Sequence, residues 1–89
     1  MSSEKPSILV ADDDPSILTA LKLLLKGEGF HVTTVDKPFD ALQLIERKDF
    51  SCVLMDLNYH RDTTSGKEGF ELLTAIRQLD EQVPIIVMT

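Results

Sequence analysis

Ser7-Ile8-Leu9-Val10-Ala11-Asp12-Asp13-Asp14-Pro15 passes from a continuous apolar run to three carboxylates and a proline within nine positions. An uninterrupted apolar run of this length marks a strand buried on both faces of a sheet. Its abrupt acidic end marks the point where the chain leaves the sheet. Asp14 is placed as a helix N-cap, with Pro15 at the first helical position, where its missing N–H costs nothing. A helix then follows with Ile17, Leu18, Leu21, Leu24 and Leu25 on one face, and Gly27 and Gly29 supply its stop. Phe30 to Val35 alternates polar residues with β-branched ones and predicts a second, less buried strand. Asp36-Lys37-Pro38 opens a second helix with an apolar face of Phe39, Leu42 and Ile45. Phe50 to Met55 predicts a third strand, which ends in Asp56. Ser65-Gly66-Lys67-Glu68 has capping-box spacing, so a third helix is expected to start near Gly66 and to bury Phe70, Leu73, Ile76 and Leu79. Val83-Pro84-Ile85-Ile86-Val87-Met88 predicts a fourth buried strand, with Thr89 at its carboxyl end. The order βαβαβαβ implies an α/β fold with a mostly parallel sheet and helices on both faces.

The 89 residues allow one small domain, and their 43% hydrophobic and 27% charged composition is that of a globular chain. The net charge of −6 argues against direct nucleic-acid binding, which needs clustered Lys and Arg, and no polybasic stretch suits an anionic membrane. The apolar runs are too short to span a bilayer, and no signal peptide is visible at Met1 to Pro6. The single cysteine, Cys52, suits a reducing compartment and reads as a small buried hydrophobe. These features predict a soluble cytoplasmic domain.

In open α/β sheets, ligands bind beyond the carboxyl ends of the strands. The first strand delivers Asp12, Asp13 and Asp14 to that edge, and the third delivers Asp56. If the two strands are neighbours, carboxylates about 4 Å apart repel by roughly 4 kcal/mol per pair at an effective dielectric near 20. A divalent cation offsets that repulsion, and hard oxygen ligands favour Mg²⁺. Mg²⁺ in turn favours a phosphate ligand, and Thr89 can donate its hydroxyl to a phosphoryl oxygen. The structural alternative is that each acid caps a helix or sits in solvent, as Asp14 does beside Pro15. Two acid sites at two strand ends are harder to explain that way.

The pattern Ile8-Leu9-Val10-Ala11-Asp12-Asp13-Asp14-Pro15, Val53-Leu54-Met55-Asp56-Leu57-Asn58 and Ile85-Ile86-Val87-Met88-Thr89 resembles the receiver domain of two-component response regulators. The resemblance covers the whole chain, with the three motifs in order. It implies a flavodoxin-like (CheY-like) doubly wound parallel sheet of strand order 2-1-3-4-5, of which this chain would hold 2-1-3-4 and lack the last helix-strand-helix. Residues 1–89 would then be the N-terminal part of a receiver domain. The resemblance implies that Asp56 is the phosphoacceptor, taking a phosphoryl group from the phosphohistidine of a sensor histidine kinase. It implies a Mg²⁺ site of Asp12, Asp13, Asp56 and the Asn58 carbonyl, with Asp13 a direct ligand and Asp12 acting through water. Thr89 would be the switch hydroxyl. Such a chain is a phosphoacceptor rather than an enzyme, with self-catalysed phosphotransfer and dephosphorylation as its own chemistry.

The loop from Leu57 to Gly69 is longer than is usual in the family and lacks its proline, which resembles receivers of NtrC-type transcriptional activators. DNA binding would then belong to an absent C-terminal portion. The fifth-strand Lys and aromatic switch residue of the family have no counterpart here. The fourth strand is expected to be an exposed edge, which favours a homodimer. Arg61 in the loop pairs most simply with Asp62, and His31 and His60 lack metal-ligand spacing. Glu46-Arg47-Lys48-Asp49 reads as a solvated helix end. Two other functional classes stay open. Asp12-Asp13-Asp14 also fits the Asp-x-Asp motif of haloacid-dehalogenase-like phosphatases, with Asp12 as nucleophile and Asp14 as general acid, although a helix begins where that family inserts a flap. A receiver-like interaction domain that is never phosphorylated is the other.

Overall fold

Strands and helices alternate along the whole described chain, which in this computed structural model comprises residues 5–56 and 67–88. The elements are β1 (Ser7–Ala11), α1 (Pro15–Gly27), β2 (His31–Val35), α2 (Pro38–Arg47), β3 (Cys52–Asp56), α3 (Lys67–Leu79) and β4 (Ile85–Met88). All four strands are parallel, in the order β2-β1-β3-β4, which is the architecture and order expected from the sequence. Leu9 is in register with Thr33 on one side and Val53 on the other, so β1 lies at the centre. The expected cap of α1 forms: the Asp14 side chain accepts the Ser16 N–H at 2.9 Å, and Pro15 follows at the first helical position. Its stop is a Schellman closure. The Gly29 N–H bonds the Lys26 carbonyl and the Phe30 N–H bonds the Leu25 carbonyl, both at 3.1 Å. Gly29 takes φ +95°, a conformation that a side chain would strain.

The two faces of the sheet are filled unequally. On one, Leu9, Ala11, Val53 and Met55 join Ala41 and Ile45 of α2 and Leu72 and Ile76 of α3 in a single apolar cluster, closed by Val35, Phe50 and Val83. Burying such aliphatic side chains contributes roughly 1.5–3 kcal/mol each, and this cluster is the main source of stability. On the other face α1 has no buried residue, and Ile17, Leu23 and Leu24 are exposed.

Several expected buried residues therefore sit elsewhere. Ile17 and Leu24 are exposed because α1 has a single layer to pack on, and only Leu18, Leu21 and Leu25 are half-buried. Phe39, in the first turn of α2, is 68% exposed, while Ala41 carries the contact with the sheet. On α3 the buried pair is Leu72 and Ile76, with Leu73 beside it, and Leu79 is exposed because the helix ends there. The side chain of Phe70 and the capping residues Ser65 and Gly66 lie outside what the structure describes. The fourth strand is not buried throughout: Ile86 and Val87 are exposed because β4 is at the edge of the sheet. Cys52 is half-buried rather than buried, and burial pushes its thiol pKa up, away from reactivity.

Candidate functional site

The central position of β1 and its pairing with β3 decide where the acids meet. Asp12 follows the last residue of β1, and Asp56 is the last residue of β3. The Asp12 N–H bonds the Val35 carbonyl at 3.2 Å, which ties the strand end to β2. One Asp12 carboxylate oxygen accepts the Asp14 N–H at 2.9 Å, so the tight turn into α1 aims that side chain back over the sheet edge. Carboxylate oxygens of Asp12, Asp13 and Asp56 come within 4.8 Å of one another. Asp14 caps α1 and borders the same edge.

The acids line an open hollow of about 350 Å³ together with Ile17 and Met88. Asp12 is buried, whereas Asp13 and Asp56 are half-buried. Burial raises the Asp12 carboxyl above its ordinary range, the Asp14 N–H opposes that rise, and the negative charges of Asp56, Asp13 and Asp14 add to it. Three oxygen donors, one desolvated and all of one sign, form a set that a small hard dication fits, because it removes the mutual repulsion and leaves room for water. The arrangement can therefore hold a divalent cation and, beside it, an anionic group that the carboxylates alone would repel.

Of the residues singled out from sequence, Asp12, Asp13 and Asp56 are brought together. Asn58, Thr89, His60 and Arg61 lie outside the described residues. Met88, which precedes Thr89, is in register with Asp56 and lines the hollow. Ile17 and Met88 were not foreseen as site residues, since a helical or strand period does not show which members border an opening.

The signature of the family described as response regulator receiver domain matches residues 8–89. The chain belongs to the receiver domain family. Among its relatives, the transcriptional regulatory protein ZraR of Klebsiella oxytoca is 35% identical over 89 residues, covering all of this chain and 19% of that protein. The receiver thus spans about a fifth of the length of that relative. Among solved structures, the chemotaxis response regulator CheY4 of Vibrio cholerae superposes with a TM-score of 0.82 at 26% identity, over 94% of this receiver and 68% of that chain. The receiver domain of the sensor histidine kinase PA1611 from Pseudomonas aeruginosa, which has a magnesium ion coordinated in its active-site cleft, gives 0.82 at 27% identity, over 97% and 68%. The CheY-like fold is the one the motifs implied, and the family match sets aside the phosphatase reading of Asp12 and Asp14. Receiver domains are phosphoacceptors of two-component signalling. No helix among the described residues of this one is long and apolar enough to cross a membrane.

Proposed function

We propose that this chain is the N-terminal part of a cytoplasmic receiver, in which Asp56 accepts a phosphoryl group from a sensor histidine kinase and thereby switches protein contacts. The observation that carries it is the convergence of Asp12, Asp13 and Asp56 oxygens within 4.8 Å at the carboxyl edge of a receiver sheet. Asp56 is the acceptor because it ends the strand at the switch of strand order and is half-open to the hollow, whereas Asp12 is buried and engaged with the Asp14 N–H. An Asp56 oxygen attacks the phosphorus of the phosphohistidine, the P–N bond breaks, and the imidazole leaves as an acyl phosphate forms. Asp12 and Asp13 hold Mg²⁺ with Asp56 and the Asn58 carbonyl. When bound, the ion neutralises charge on the phosphoryl oxygens. The magnesium in the cleft of the PA1611 receiver supports this assignment. Thr89 follows the residue paired with Asp56, which suits its role as switch hydroxyl. Hydrolysis of the acyl phosphate within the same site returns the receiver to its resting state.

The parent is a transcriptional regulator of NtrC type, a reading that the match to ZraR supports, and DNA binding belongs to its other portions. Homodimers form through the exposed edge of β4. The test is intact-mass spectrometry after incubation with Mg²⁺ and acetyl phosphate. One phosphoryl adduct is expected on the wild type, absent from Asp56→Asn. An adduct that survives Asp56→Asn but is lost with Asp12→Asn would move the acceptor to Asp12, and no adduct on the wild type would leave an unphosphorylated interaction domain.

A further inference from the structure

The opposite pole of the sheet carries a second hollow. It measures about 390 Å³, lies where the strands begin, and is lined by Lys5, Lys22, Lys26, Phe30, His31 and Val32. Three of the nine Lys and Arg of a chain with net charge −6 meet there, and among the described residues no carboxylate lines it. Among the described residues, none of the three lysines is held in an ion pair. Lys22 and Lys26 stand one turn apart on α1, a like-charge spacing that costs a helix a few tenths of a kcal/mol. Lys26 recovers part of that cost from the carbonyls at the helix end, one turn beyond Lys22.

A solvated lysine face would be convex and interspersed with acids. This one is concave and has an apolar wall of half-buried Phe30 and Val32. Its backbone is fixed at both ends: the Schellman closure holds Phe30 beneath α1, and the His31 N–H bonds the Pro6 carbonyl at 2.9 Å. The volume falls in the lower part of the range of about 300–1,000 Å³ typical of small-molecule sites. Ammonium groups act as mobile point charges suited to phosphate oxygens. We propose that this hollow binds a small organic phosphate, its phosphate groups held by Lys5, Lys22 and Lys26 and its apolar body against Phe30 and Val32. The whole of β1 separates it from the acids, roughly 20 Å of extended chain, so the two sites do not compete for one ligand.

The experiment is a ¹⁵N-correlation NMR titration of the chain in EDTA, with ADP and pyrophosphate as separate probes. Metal-free conditions remove any contribution of the acidic site. Expected with ADP are saturable shifts at Lys22, Lys26 and Phe30 to Val32, with weaker binding of pyrophosphate, which lacks the apolar body. Lys22→Gln combined with Lys26→Gln should weaken ADP binding at least about tenfold while the rest of the spectrum is unchanged. Lys5→Gln, outside helix and sheet, should weaken it independently and guards against a helix effect. Absence of saturation at millimolar ADP, equal binding by the lysine variants, equal affinity for pyrophosphate, or saturation by a poly-glutamate peptide in place of ADP would each overturn the proposal.

Discussion

Asp12 is the one buried acid among the described residues, and its surroundings make it a cost to the metal-free fold. Its folded pKa is raised above 3.8, so the folded state holds a proton that the unfolded chain has released. Stability is therefore lost as pH rises from about 3.8 through the folded value, and above that value the full penalty is present. Asp12→Asn removes the charge and keeps an oxygen to accept the Asp14 N–H. In EDTA at neutral pH the variant should be more stable and melt at a higher temperature, and the gap should close as pH falls toward 3.8. Adding Mg²⁺ should stabilise the wild type and do less for the variant. Scanning calorimetry across pH decides it: a variant less stable than wild type at neutral pH, or a gap independent of pH, is incompatible with this account.

At the scale of elements, the core depends on α2 and α3 far more than on α1. Ile76 is fully buried in the apolar cluster, whereas Phe39, the larger side chain, is 68% exposed. Ile76→Ala should cost about 2–5 kcal/mol in urea unfolding and Phe39→Ala less than about 0.5 kcal/mol. Equal effects would mean that α2 packs through Phe39 after all. This contrast also shows where sequence reasoning stops. Apolar period located each described strand and helix, and the Asp14 cap and Gly29 bounded α1, because these and the buried β1 run are local causes. The same period did not tell Leu72 from Leu79, since the half-turn of a helix that meets a sheet is fixed by the neighbouring element. The acids of the site were legible for a topological reason: a carboxylate ending a buried strand has one edge to occupy. Ile17 and Met88 were not, because an opening is bordered by whatever two elements happen to leave uncovered.

For the whole molecule, the decisive contrast is between an unpaired apolar edge and a strong net charge. β4 has β3 as its single neighbour among the described strands, and Ile86 and Val87 are exposed along it. Such an edge presents unpaired backbone donors and acceptors and favours pairing with a second copy. Two copies at −6 each repel, and that repulsion is screened over about 10 Å at 0.1 M salt and about 3 Å at 1 M. Association through β4 is therefore expected to strengthen with salt, the opposite of a contact made by complementary charges. Sedimentation equilibrium at micromolar concentration should show the weight-average mass rising toward a dimer as NaCl increases. Ile86→Lys, which places a charge on the exposed edge, should hold the chain monomeric at every salt concentration. A mass that falls with salt would point instead to the acidic pole of one copy meeting the lysine hollow of another, and a mass unaffected by Ile86→Lys would remove β4 as the contact.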